Sequence, residues 1–247
     1  MSVYEQLEKI RKHRGTVALA LLDPDTKNDN DLLNMVKLVN ESDFDAILVG
    51  GSLIMDNQFD ERIAKIKVNS ELPLIIFPGS SKQLSKHADA VLFLSLISGR
   101  NPQYLIGEQV ESAPIIQNLG IEAIPTGYIL LDGGRRSSVE VMSNTNPLPM
   151  QKKDIVLAHA LAGEYLGKKF IFLETGSGSK NHAAVDLIRY LAPQLSLPLI
   201  VGGGVKTIKS ARALAEAGSG YIVSSSKIES LPSNQSLIEF TQAIHLA

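Results

Sequence analysis

Three glycines in a row, Gly202-Gly203-Gly204, close the apolar run Leu199-Ile200-Val201, and a helical pattern follows from Lys206 to Ala217. Without a Cβ, backbone N–H groups can come close to a guest. A helix start adds unpaired N–H groups and a positive dipole end. That chemistry suits a phosphate, and a tight turn with no guest is the plainer alternative. The pattern recurs at Gly220-Tyr221-Ile222-Val223, which leads into Ser224-Ser225-Ser226. Small residues at two successive strand ends favour phosphate, because a (β/α)8 barrel holds phosphate after its seventh and eighth strands.

Carboxylates stand at other run ends. Asp23 closes the first apolar run, and Asp25 follows one proline later. Either is suited to Mg2+, which takes carboxylate, water and substrate-phosphate oxygens. Asp-Pro-Asp is equally good turn chemistry, so Asp25 is open between ligand and cap. Ser52, one strand over, offers a hydroxyl. Glu174 lies between an apolar strand and Thr175-Gly176-Ser177-Gly178. A carboxylate there can act as general base on a hydroxyl, or can be a structural acid satisfied by backbone N–H groups. Ser177 and Gly178, read as preceding a helix, would join the phosphate cup. Arg100 is open between phosphate and solvent. The histidines show no metal-ligand spacing, His182 has no assigned role, and neither a Ser-His-Asp order nor a strand lysine is legible.

The elements that must position these residues are eight apolar runs: Thr16–Leu22, Ala46–Val49, Pro73–Phe77, Ala90–Leu94, Glu122–Leu131, Lys169–Leu173, Pro198–Val201 and Tyr221–Val223. Continuous apolar runs suit parallel strands buried on both faces. Helical periods lie between most of them, as at Asn30–Glu41 and Ala183–Leu191. Strand then helix, repeated, predicts an α/β fold, a TIM-like (β/α)8 barrel in a single domain over residues 1–247. Val3–Arg11 reads as a helix closing the barrel's N-terminal end. The twelve residues from Pro78 to Asp89 leave room for only a degenerate third helix. Asp132–Lys153 reads as a long polar loop, functional or mobile.

Composition bounds the rest. The 247 residues are close to the usual size of such a barrel. Net charge is −2, which gives no basic footprint for nucleic acid. Cysteine is absent, which excludes disulfides and thiolate metal sites. The polar start predicts a cytoplasmic protein.

Taken together, Leu22-Asp23-Pro24-Asp25, Val49-Gly50-Gly51-Ser52, Phe77-Pro78-Gly79-Ser80, Phe93 through Asn101, Tyr128-Ile129-Leu130, Phe172 through Gly178 and Val201 through Val205 resemble the geranylgeranylglyceryl phosphate synthase family, which includes the PcrB-like enzymes. The resemblance covers nearly the whole chain and rests on order and spacing. It implies a prenyltransferase that joins sn-glycerol 1-phosphate to a polyprenyl diphosphate, geranylgeranyl diphosphate being the expected donor, through an ether bond. It implies Asp23 and Ser52 as Mg2+ positions. It implies Phe172, Leu173, Glu174, Thr175, Gly176, Ser177, Gly178, Gly203, Gly204, Ser225 and Ser226 as glycerol phosphate positions, with Glu174 the acid near the reacting hydroxyl. Tyr128, Leu96, Ile97 and Tyr104 are expected to line an apolar groove for the prenyl tail, or else to be core. Leu21 stands where many members carry Lys, and Ser224-Ser225-Ser226 where the last loop often holds Gly with Asn or Thr. Leu21 and the longer loops look more like the second, often hexameric, branch, so a homo-oligomer is expected. A lipid product further implies transient membrane contact at release.

Two other classes fit part of the pattern. One is another phosphate-binding barrel, such as a sugar-phosphate isomerase with paired acids or a flavin enzyme. The other is a non-catalytic barrel that binds a phosphorylated ligand.

Overall fold

The computed structural model describes residues 1–246. Eight parallel strands close into a barrel in chain order. They are β1 Val17–Leu22, β2 Ala46–Val49, β3 Leu74–Ile76, β4 Ala90–Leu96, β5 Glu122–Leu130, β6 Phe170–Glu174, β7 Leu199–Gly202 and β8 Tyr221–Ser224. Every strand matches one of the eight apolar runs to within two residues at either end. The helices are α1 Val3–Arg14, α2 Leu32–Asn40, α3 Phe59–Val68, α4 Glu108–Leu119, α5 Ser138–Ser143, α6 Lys153–Tyr165, α7 Val185–Leu191, α8 Ile208–Glu216, α9 Ser226–Glu229 and α10 Asn234–Ile244.

Successive side chains of a strand point to opposite faces, so each strand feeds two cores. Val17, Leu19, Phe170, Phe172, Ile200, Tyr221 and Val223 fill the barrel interior. Ala18, Ala20, Ile171, Leu173, Val201 and Ile222 pack outward among helix residues such as Val36, Ile63 and Leu214. Inside, the rings of Phe77 and Phe172 stack 4.9 Å apart, and Tyr128 lies 5.5 Å from Phe172.

α1 closes the N-terminal end, as its amphipathic pattern predicts. Leu7 inserts into the inner core, the Tyr4 ring meets Phe170 at 5.4 Å, and Glu8 accepts the Tyr221 hydroxyl at 2.6 Å. A full capping box between Ser2 and Glu5 starts this helix.

The degenerate helix expected after β3 does not form: residues 77–89 are turns, bends and loop. That segment holds two glycine or proline positions and three serines, too little apolar periodicity for a helix. Asp132–Lys153 is more ordered than a loop. α5 forms within it behind a Ser137 cap, and Leu131 bridges Leu148 in parallel. The expected helix after Ser177-Gly178 does not begin there either, since α7 starts at Val185. The helix after the glycine triplet starts at Ile208, behind a Thr207–Ser210 capping box.

Candidate active site

Strand parity decides what reaches the C-terminal mouth. On β1, Val17, Leu19 and Leu21 face inward, so Asp23 continues that face into the mouth. On β6, Phe170 and Phe172 face inward, and Glu174 is the next inward residue and the last of the strand. A cavity of about 650 Å³ opens there, lined by Asp23, Ser52, Glu174, Gly176, Ser177, Gly178, Gly203, Gly204, Ser225 and Ser226.

Glu174 is 6% exposed, and its Oε1 accepts the Gly176 N–H at 2.6 Å. Burial raises its pKa to about 7, against the opposing pull of the Gly176 and Thr175 backbone donors. A carboxyl at that value is suited to proton transfer near neutral pH. Tyr128 lies beside it. Burial first, and the Glu174 carboxyl second, hold that phenol well above its ordinary value.

The glycines are required by what surrounds them. Gly203 and Gly204 have φ of +80° and +68°, and a Cβ on Gly204 would meet the Asn181–His182 peptide at 2.8 Å. Their backbone therefore faces the cavity without side chains. Ser225 and Ser226 adjoin the start of the short helix α9.

At the opposite wall, Asp23 Oδ2 accepts Lys27 Nζ at 2.8 Å, and Asp23 Oδ1 is buried without a hydrogen-bond partner among the described residues. Ser52 lines the same wall. A carboxylate oxygen in want of a partner fits Mg2+, which keeps waters and takes phosphate oxygens. No group of three or more His, Cys, Asp or Glu able to hold a metal occurs among the described residues, so substrate and water would complete the coordination. Asp25 caps the turn that follows, its carboxylate accepting the Thr26 N–H at 2.8 Å, and the residue also lines the cavity.

Beyond Phe77 the cavity continues outward between β3 and α4, past Leu84, Val91, Phe93, Ser112 and Ile116, with Val139 and Met142 of α5 near by. In a regular barrel, the helix after β3 would cover that face of the sheet. Its absence opens an apolar groove. Leu96, Tyr104 and Tyr128 line the cavity, and Leu96 and Tyr128 also belong to the inner core.

Four expected positions do not line it. Ile97 faces outward and packs at Gly127 and Gly163. Leu173 also faces outward, under the helices. Phe172 lies one layer below the cavity, under Phe77 and Tyr128. Thr175 is 1% exposed, with its hydroxyl 2.9 Å from that of Ser179. A contiguous stretch cannot line a mouth when alternate residues point away. Arg100 donates to the Gly99 carbonyl at 2.7 Å and lies outside the cavity. The groove residues on α4 and Lys27 were not anticipated. The short span from Pro78 to Asp89 was the signal for the first, while the second depends on the 3-10 turn at Thr26–Asn28, for which the sequence carries no periodic signal.

A closed (β/α)8 barrel with a deep cavity and a buried acid of raised pKa at its C-terminal mouth is the layout of a TIM-barrel enzyme. The chain belongs to the PcrB family, whose sequence model matches residues 8–243. It is 42% identical to a curated geranylgeranylglyceryl phosphate synthase of Chitinophaga pinensis, across 96% of this chain and 94% of that one. It is 39% identical to the one of Flavobacterium johnsoniae, across 90% and 91%. Like these relatives it is a prenyltransferase. A crystal structure of (S)-3-O-geranylgeranylglyceryl phosphate synthase from Thermoplasma acidophilum, in complex with sn-glycerol-1-phosphate, superposes with a TM-score of 0.93 at 33% identity and covers both chains fully. Thiamine phosphate pyrophosphorylase from Pyrococcus furiosus shares the fold alone, at a TM-score of 0.60 and 11% identity.

Proposed function

We propose that this enzyme transfers a polyprenyl group, geranylgeranyl first among candidates, from its diphosphate to the free primary hydroxyl of sn-glycerol 1-phosphate, with Mg2+ required and diphosphate released. The observation that carries this reading is the continuity of one cavity. It runs from the glycines of β7, past Glu174, to the groove left by the missing third helix. A phosphate at one end and a long apolar chain at the other are the two ligands such a shape accepts.

Glycerol phosphate is held at Gly203, Gly204, Ser225 and Ser226, with Gly176 to Gly178 on the flank. Its hydroxyl is then directed to Glu174, which orients it and accepts its proton as the C–O bond forms. The allylic C–O bond to diphosphate breaks, and the electron pair leaves with the diphosphate. Mg2+ at Asp23 and Ser52 would neutralise charge on that leaving group. The prenyl tail runs past Tyr128 and Phe77 into the groove, which keeps water from the allylic carbon. The reading includes a homo-oligomer and brief membrane contact at product release. Leu53 and Met142, exposed residues on the cavity wall, support the latter.

The test is incubation with sn-glycerol 1-phosphate, Mg2+ and prenyl diphosphates of several lengths, with products read by mass. The expected product is a prenyl ether of glycerol phosphate. Phosphate binding without any such product would favour the non-catalytic barrel instead.

A further inference from the structure

Lys27 and Arg136 supply the lysine or arginine side chains on the cavity wall, which otherwise carries several carboxylates. Lys27 is more than half exposed, yet its Nζ sits 2.8 Å from Asp23 Oδ2. The other oxygen of that carboxylate has no hydrogen-bond partner among the described residues.

The turn that presents Lys27 is held firmly. Asn28 donates to the Asp23 carbonyl at 2.8 Å, and the Thr26 hydroxyl donates to Asp56 at 2.8 Å. Arg62, 1% exposed, donates to Asp29, to Asp56 and to the Pro24 carbonyl. One buried guanidinium thus ties the loop after β1 to the loop after β2. The backbone of Lys27 is fixed while its ammonium, on a long flexible stem, stays free to change partner.

A diphosphate arriving beside Asp23 brings several negative charges to a wall already rich in carboxylates. We propose that Lys27 exchanges partners: it neutralises Asp23 while no diphosphate is bound, and moves to a diphosphate oxygen when diphosphate and a divalent cation bind. The ammonium therefore competes with the cation for Asp23 and cooperates with it for the diphosphate. This rests on the reading above, in which diphosphate occupies the Asp23 end.

The exchange predicts two opposite shifts from one substitution. In Lys27→Met, Mn2+ alone, followed by electron paramagnetic resonance, binds about two- to fivefold tighter than in the wild type, the scale of a lost exposed ion pair. In the same variant, inorganic diphosphate with saturating Mg2+, followed by calorimetry, binds roughly ten- to hundredfold weaker, the scale of a lost charge-assisted hydrogen bond. Lys27→Arg stays near the wild type in both. One shift without the other, or a loss of both affinities, overturns the exchange and leaves Lys27 a structural partner of Asp23. A wild-type protein that binds neither Mn2+ nor diphosphate contradicts the functional reading itself, so the two failures are distinct.

Discussion

The carboxylate of Glu174 occupies the space that any side chain at position 203 would need. A Cβ on Gly203 would collide with Oε1, and one on Gly202 would lie 2.6 Å from Oε2. The glycines of β7 therefore serve the acid of β6 as well as any phosphate. The strands are direct neighbours, with Glu174 opposite Gly202 in register.

Gly203→Ala should fail for this reason, not only through loss of phosphate room. The residue sits at φ +80°, where a side chain is strained, and strain of this kind costs on the order of 1–3 kcal/mol. The expected outcome is a lower unfolding midpoint together with a kcat loss. A variant with a wild-type kcat would show that Glu174 does not depend on this glycine.

The buried carboxyl has a signature in stability against pH. Its folded pKa of about 7 lies above the ordinary 4.5. Between those values the folded state binds more protons than the unfolded one. The stabilising contribution is thus fully present below about pH 4.5 and is lost as pH rises through 7. Glu174→Gln should remove that dependence. Its stability relative to the wild type should rise by on the order of 3 kcal/mol between pH 4.5 and pH 9. Urea unfolding across that range checks it, and a difference that does not change with pH counts against a raised pKa.

Asp23→Asn should lose most activity while circular dichroism stays the same, because the residue faces the mouth and supports no core. Activity titrated against Mg2+, with an EDTA control, is the measurement. A variant fully active in EDTA would exclude a metal role for Asp23.

The groove makes a prediction about chain length. Ser112 of α4 lines the far part of the cavity and is 8% exposed. Ser112→Phe should raise KM for the longer prenyl diphosphates more than for the shorter, with KM for glycerol phosphate unchanged. Equal effects on every chain length would place the tail elsewhere.

The barrel was legible because each strand is a short apolar run bounded by glycine, proline or charge, and such runs have few other ways to be buried. Asp23 and Glu174 were legible because they directly follow such runs, and Ser52 because it stands just beyond the glycines that close one. What stayed hidden was direction. Leu173 and Ile97 belong to the right stretches but face outward, and only the pleat decides that. The groove was hidden for another reason: it is made by an element that the chain lacks. The short span from Pro78 to Asp89 pointed to a degenerate helix and not to the absence of one, and Ser112 and Ile116 come from a helix about thirty residues on. The Lys27–Asp23 pair needed the 3-10 turn at Thr26–Asn28, which sequence periodicity does not reveal.

The most direct test of the account is kcat of Glu174→Gln with both substrates saturating and both affinities measured separately. If Glu174 takes the proton of the glycerol hydroxyl, kcat falls by ~10² to 10⁴ while glycerol phosphate and prenyl diphosphate still bind. If the variant turns over at the wild-type rate, Glu174 is a structural acid and the proposed chemistry at the centre of the cavity is wrong.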